Sequence, residues 1–111
     1  NLEFTLYLWK GRARTINEPS SKQLLRGGID KATEHPTEKP VHLMAEYIRN
    51  SSKRGETVLD PFAGSGSTGV ACVNLGRKFV GVEIDERYFE MMCRRIEQAH
   101  SHPDMFSEAA A

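Results

Sequence analysis

Residues 57–69, which read TVLDPFAGSGSTG, decide how this chain folds. A short apolar run leads into a glycine-rich loop, and the loop leads into residues that favour a helix. Gly64, Gly66 and Gly69 satisfy the pattern G-x-G-x-x-G in the strand-to-helix setting that this pattern requires. Because a glycine has no β-carbon, the stretch predicts a loop whose backbone lies close to a bound ligand.

The segments around this loop predict alternating helices and strands. Apolar spacing predicts helices over residues 40–50, 68–75 and 86–99. Short apolar runs bounded by turn residues predict buried strands at 57–60 and 79–84, with no polar face. This order implies parallel strands joined by helices, which is an α/β architecture.

Residues 1–34 predict one strand and a variable loop. Apolar and polar residues alternate over residues 2–9, which is typical of a strand, but no periodicity holds from 12 to 38. A loop of that length is expected to be functional or disordered. Positions 10–31 contain six basic residues but only two acidic ones, so the segment is either a phosphate-contacting stretch or a solvated loop. The candidate DNA-binding residues are Lys10, Arg12, Arg14, Lys22 and Arg26.

Length and composition point to one small domain. The chain has 111 residues, 39% of them hydrophobic, and a formal net charge of zero. No run is long and apolar enough to span a membrane, and residues 100–111 are expected to fray. Cys72 and Cys93 are expected to be reduced core thiols in a cytoplasmic protein, and the histidine spacing predicts no metal site.

An acidic residue follows the loop at the distance that a nucleoside site requires. Glu83 lies 19 positions after Gly64, at the end of the next predicted strand, where a carboxylate accepts hydrogen bonds from both ribose hydroxyls. Asp60, at the tip of the preceding strand, would repel the pyrophosphate of a dinucleotide and attract an amino group. These charges favour S-adenosylmethionine over NAD as the ligand.

Four stretches of the sequence resemble one known family. Residues 60–68 (DPFAGSGST) resemble the cofactor loop of bacterial and phage DNA methyltransferases that modify adenine N6 or cytosine N4. Residues 35–40 (HPTEKP) and 75–85 (LGRKFVGVEID) resemble the segments that flank this loop in the family, and residues 2–8 resemble its late strand. The resemblance implies a Rossmann-like S-adenosylmethionine-dependent methyltransferase fold, of which residues 35–99 are the C-terminal portion of a parallel sheet with flanking helices.

The resemblance also implies the roles of individual residues. Glu83 would hold the ribose of S-adenosylmethionine, and Ile84 would lie against the adenine. Thr37 and Lys39 would reach the carboxylate of the cofactor. The other cofactor-binding residues would lie at the methionine end or beside it: Asp60, Phe62, Gly64, Ser65, Gly66 and Ser67. The substrate would be double-stranded DNA, with adenine N6 preferred over cytosine N4 as the target.

One block of the family is absent from this sequence. The family uses an Asp/Asn-Pro-Pro-aromatic tetrapeptide at the target amine, and residues 60–63 (DPFA) lack the second proline. We therefore assign no catalytic residue and expect a C-terminal piece that is inactive alone. It would need a missing N-terminal catalytic half, a second subunit or a second copy of itself. The alternatives are a split or degenerate S-adenosylmethionine-binding module that works with a separate chain, and an NAD-dependent oxidoreductase domain.

Overall fold

A computed structural model describes residues 3–22, 24–25 and 38–102 of the chain. Within them, helices and strands alternate as predicted, and the two strands pair in parallel over four residues, from Thr57 opposite Lys78 to Asp60 opposite Gly81. The elements in chain order are α1 (Val41–Ser51), β1 (Thr57–Asp60), α2 (Ser67–Leu75), β2 (Lys78–Gly81) and α3 (Glu86–Ser101).

The helices begin and end at residues whose chemistry explains the boundaries. The side chain of Asp85 accepts a hydrogen bond of 3.1 Å from the backbone N–H of Tyr88, which caps the first turn of α3. Gly76 ends α2 in the left-handed conformation, with φ of 72°. Among the described residues, no helix combines the length and apolar character needed to cross a membrane.

The core lies on one side of the two-stranded sheet. Ile48 of α1 packs against Ala71, Cys72 and Leu75 of α2, and all four are at most 4% exposed. The half-buried hydrophobic residues that surround this cluster are Val41, Met44, Ala45, Val58 and Phe79. Helices α1 and α2 therefore cover one face of the sheet and hold β1 and β2 in place.

The opposite face of the sheet is open. Residues of β1 alternate between exposed and half-buried, and so do those of β2. Leu59 is 63% exposed and Val80 is 50% exposed, so the prediction of strands buried on both faces is wrong for this chain. The reason is physical: a parallel strand is buried on both faces only where a second layer packs on the sheet, and the described residues supply one layer.

The predicted strand at the N-terminus is also wrong over the residues that the structure describes. Residues 3–9 form no strand, and Phe4, Leu6 and Leu8 are 79–87% exposed. Alternation by itself does not make a strand, because a strand also needs a neighbouring backbone to satisfy its N–H and C=O groups. For the same reason β2 ends at Gly81 rather than at Ile84, since its partner β1 turns into the glycine loop after Asp60.

Candidate functional site

A cleft of about 350 Å³ lies at the carboxyl ends of β1 and β2. In open α/β sheets this edge is where ligands bind, because the loops that leave the strands surround it. The walls come from the segment before α1, from α1, from the glycine loop, from the first residues of α2 and from the chain just after β2. The lining residues are Glu38, Lys39, Met44, Asp60, Phe62, Ala63, Gly64, Ser65, Ser67, Thr68 and Glu83.

Asp60 holds the two ends of the glycine loop together. One of its carboxylate oxygens accepts a hydrogen bond of 3.0 Å from the backbone N–H of Phe62, and the other accepts one of 2.7 Å from the hydroxyl of Thr68. Each oxygen keeps a second lone pair, because an ionised carboxylate offers about four acceptor sites. Asp60 is thus a negative charge fixed at the cleft and able to bind a cationic group.

Glu83 contacts the glycine loop from the segment that follows β2. Its Oε1 accepts a hydrogen bond of 3.1 Å from the backbone N–H of Gly64, and its Oε2 accepts one of 3.2 Å from the N–H of Asp85. These two bonds fix the plane of the carboxylate beside the loop. A fixed carboxylate with spare lone pairs is suited to accept hydrogen bonds from two neighbouring hydroxyls of a ligand.

Backbone hydrogen bonds give the glycine loop a single path. The N–H of Ala63 donates to the carbonyl of Val82 at 2.9 Å, which ties the loop to the chain beyond β2. Ser65 lies between two glycines with positive φ, Gly64 at 55° and Gly66 at 88°, and is 3% exposed. Glycines are required at such angles because a β-carbon is disfavoured there.

A buried ion pair between Arg95 and Glu38 contacts the glycine loop at Ser65. Nη1 of Arg95 donates to Oε1 of Glu38 at 3.1 Å, and the two side chains are only 15% and 2% exposed. The same nitrogen lies 2.9 Å from the carbonyl oxygen of Ser65 and 3.1 Å from its hydroxyl, and 3.3 Å from the hydroxyl of Ser67. The hydroxyl of Ser65 donates to Glu38 at 2.7 Å. Burial lowers the pKa of Arg95, and the charge of Glu38 opposes that shift.

Glu38 and Arg95 are not among the site residues that the sequence predicts. A signal for Arg95 existed, because it stands three positions after Met92 and so lies on the buried side of α3. For Glu38 the only signal is its place in the block 35–40 that resembles the family, because its polar and charged neighbours otherwise fit a solvated surface.

Of the two residues expected to reach a ligand carboxylate, only Lys39 lies in the described part of the chain. It lines the cleft, and its ammonium group forms an ion pair of 2.7 Å with Glu3. Both side chains are well exposed, at 45% and 69%, so this pair is weak and its lysine can exchange partners. Thr37 falls outside the described residues.

The remaining predicted cofactor residues divide into two sets. Phe62 lines the cleft and is 88% exposed, so it offers an apolar ring at the opening, and Ser67 lines the cleft as well. Ile84 is fully exposed and is not among the lining residues of the cleft. Gly66 also lies apart from the lining, and its α-carbon faces Met92 of α3 instead.

The predicted DNA-binding residues lie on an exposed segment anchored to α1. Lys10, Arg12, Arg14 and Lys22 are all exposed, and Arg26 falls outside the described residues. The side-chain amide of Asn17 donates to the carbonyls of Arg49 and Ser52 at the C-terminal end of α1, at 3.0 and 2.7 Å. The segment is thus positioned by a few polar contacts.

Both cysteines are free thiols, and Cys72 is fully buried. Burial raises the pKa of the Cys72 thiol to about 11, with a smaller opposing effect from Arg77. Such a thiol is protonated and inert near neutral pH. In the described part of the chain, no three histidine, cysteine or carboxylate side chains gather to hold a metal ion.

Similarity to known proteins covers most of the chain. The model of a DNA methylase family, that of the N6/N4 methyltransferases, matches residues 4–94. The chain is 40% identical over 81 residues to the type II methyltransferase M2.DpnII of Streptococcus pneumoniae, and the aligned region covers 68% of the chain and 30% of that protein. It is 46% identical over 71 residues to the DNA adenine methyltransferase YhdJ of Escherichia coli K12, which covers 64% of the chain and 24% of that protein.

A solved structure is similar as well. The crystal structure of an M1.HpyAVI–SAM complex is 43% identical, with a TM-score of 0.62, over 73% of this chain and 42% of that one. The chain therefore has the α/β methyltransferase fold, in part, and spans about a quarter to a third of the length of the two curated relatives. Since the family model matches well over half of its residues, the chain belongs to the family of N6/N4 DNA methylases.

Proposed function

We propose that this chain is the S-adenosylmethionine-binding part of a DNA methyltransferase that modifies the N6 amine of adenine. The observation that carries the proposal is the placement of two carboxylates, Asp60 and Glu83, on either side of the glycine loop in one cleft. The relatives support the target, since one is named a DNA adenine methyltransferase. The similar M1.HpyAVI structure, which is a complex with SAM, supports the cofactor.

The charges of the cleft fit the two ends of the cofactor. Glu83 would accept hydrogen bonds from the ribose hydroxyls, and Asp60 would attract the α-amino group of the methionine. Lys39 would leave its exposed pair with Glu3 and bind the methionine carboxylate. Asp60, which lies beside the glycine loop, would repel a pyrophosphate, and this argues against a dinucleotide in the cleft.

The cofactor, when bound, supplies a methyl group on a positively charged sulfur. This chain would bind and orient it, and the remainder of the methyltransferase would accept the developing positive charge of the target amine. We assign no catalytic residue to this chain because its sequence lacks the Asp-Pro-Pro-aromatic tetrapeptide. We therefore expect the chain to bind S-adenosylmethionine but not to methylate DNA by itself.

The test is a parallel calorimetric titration of the purified chain with S-adenosylmethionine and with NAD. We expect binding of the first only. Glu83→Gln should weaken it about tenfold or more, because hydrogen bonds to a charged group contribute about 1.5–3 kcal/mol. Glu90→Gln, which removes an exposed carboxylate from α3, is the matched control and should leave the affinity unchanged. Binding of NAD, or equal effects of the two variants, would refute the proposal.

We further propose that the open face of the sheet packs against the missing N-terminal catalytic half. Leu59 and Val80 expose apolar area that a folded sheet normally covers. The fraction of the relatives' length that this chain spans, 24–30%, leaves ample polypeptide to form that layer. A separate subunit or a second copy of the chain is the alternative occupant.

This second proposal predicts self-association of the chain when it is purified alone. Sedimentation velocity over a concentration series should reveal oligomers, because the apolar face finds another copy. Leu59→Thr combined with Val80→Thr should shift the distribution to monomers, while Lys53→Thr with Arg94→Thr, at exposed positions outside the open face, should not. A wild-type chain that is monomeric throughout and unfolds cooperatively would contradict the proposal.

A further inference from the structure

The ion pair of Arg95 and Glu38 joins three parts of the chain that are distant in sequence. Glu38 belongs to the segment before α1, Ser65 belongs to the glycine loop, and Arg95 belongs to α3. Two of the three, Glu38 and Ser65, line the cleft. The pair therefore connects the two walls between which the proposed ligand would lie.

Stability alone does not account for this arrangement. The desolvation of a buried ion pair offsets much of its attraction, so apolar side chains of similar volume serve stability as well or better. Glu38 is nevertheless 2% exposed at its side chain, and it receives hydrogen bonds from both Arg95 and Ser65. What the pair contributes is a fixed distance and angle between its partners.

Arg95 contacts the glycine loop at Ser65, which lies between two glycines. Its Nη1 lies 2.9 Å from the carbonyl of Ser65, the residue between the two positive-φ glycines Gly64 and Gly66. Glycines on both sides would otherwise let this peptide rotate. On the opposite wall, Glu38 immediately precedes Lys39, so the pair also fixes the backbone that carries the lysine.

We propose that Arg95 and Glu38 are positioning residues for the methionine end of the ligand. They hold the Ser65 peptide and the Lys39 backbone at a set separation across the cleft, and they act through those residues rather than by contact with the adenosine. The inference rests on the proposed function, since it requires S-adenosylmethionine in this cleft.

The test compares two ligands on the same protein. S-adenosylmethionine carries the amino acid, whereas 5′-methylthioadenosine keeps the adenosine and the sulfur but lacks it. We expect Arg95→Lys to weaken the first about tenfold, because lysine keeps the charge but not the planar fork of donors. Affinity for 5′-methylthioadenosine should change less than about twofold. Glu38→Gln should give the same selective loss.

Arg94→Lys is the matched control, because Arg94 is the neighbouring arginine of α3 and its side chain is 73% exposed. It should change neither affinity. Equal losses for both ligands in Arg95→Lys and Glu38→Gln, or no loss, would overturn the inference, and so would a failure of both variants to fold. A wild-type chain that binds neither ligand would instead refute the proposed function, so the two failures are distinguishable.

Discussion

The glycine loop and the N-terminal segment, residues 3–22 and 24–25, differ in how the chain fixes them. In the loop, Ser65 and Ser67 are 3% and 6% exposed, and their polar groups are hydrogen-bonded. The N-terminal segment contains no helix or strand among its described residues, and most of its side chains are exposed. Its contacts with α1 are individual hydrogen bonds, such as that of 2.8 Å between Thr5 and Tyr47.

The two regions would bind their ligands in different ways. The loop must hold its shape before the ligand arrives, so its conformation is determined by packing and buried hydrogen bonds. The N-terminal segment contributes little to folding, which leaves its basic side chains available to a partner outside the chain. Substitutions should therefore affect stability in the loop and binding of DNA in the N-terminal segment.

The largest expected effect is that of Gly66→Ala compared with Gly11→Ala. The two glycines have similar φ, 88° and 80°, so alanine is strained at both by about 1–2 kcal/mol. At Gly66 a β-carbon would also lie 2.6 Å from Cγ and 2.9 Å from Cβ of Met92, whereas at Gly11 nothing lies within 4 Å. Overpacking should cost Gly66→Ala roughly 1–3 kcal/mol more.

Urea unfolding of both variants at equal protein concentration measures that difference. The two regions would not differ as argued if Gly11→Ala destabilised the chain as much as Gly66→Ala. Equal midpoints would mean that Met92 moves aside at no cost, or that the N-terminal segment is packed as closely as the loop.

The same comparison explains what could be predicted from the sequence. The helices, the two parallel strands and the positions of Asp60 and Glu83 follow from local signals: apolar spacing, turn residues and glycines at fixed intervals. Each of these signals lies within about twenty residues of the feature that it predicts. The short stretch of chain between signal and feature therefore allows few alternative structures.

The features that could not be predicted depend on distant parts of the chain. The pairing of Glu38 with Arg95 spans 57 positions, and nothing local to either residue identifies its partner. The strand expected at residues 2–9 required a neighbouring strand, and the alternation of side chains carries no information about whether one exists. The burial of Leu59 and Val80 depended likewise on a second layer beside the sheet.

A smaller effect, in DNA binding and not in stability, should follow from Lys10→Ala, Arg12→Ala and Arg14→Ala combined. If these exposed side chains neutralise phosphates, the plot of log affinity against log salt should become shallower by up to about 0.9 for each phosphate that the variant leaves without its cation. The matched control removes three exposed basic residues from the packed region: Lys53, Lys78 and Arg94. Both triple variants carry the same net charge, so only position-specific binding of phosphate makes the first slope shallower than the second. Equal slopes would mean that DNA binding depends on the charge of the chain as a whole. That result would contradict the role proposed for the N-terminal segment, but it would not bear on the proposed cofactor site.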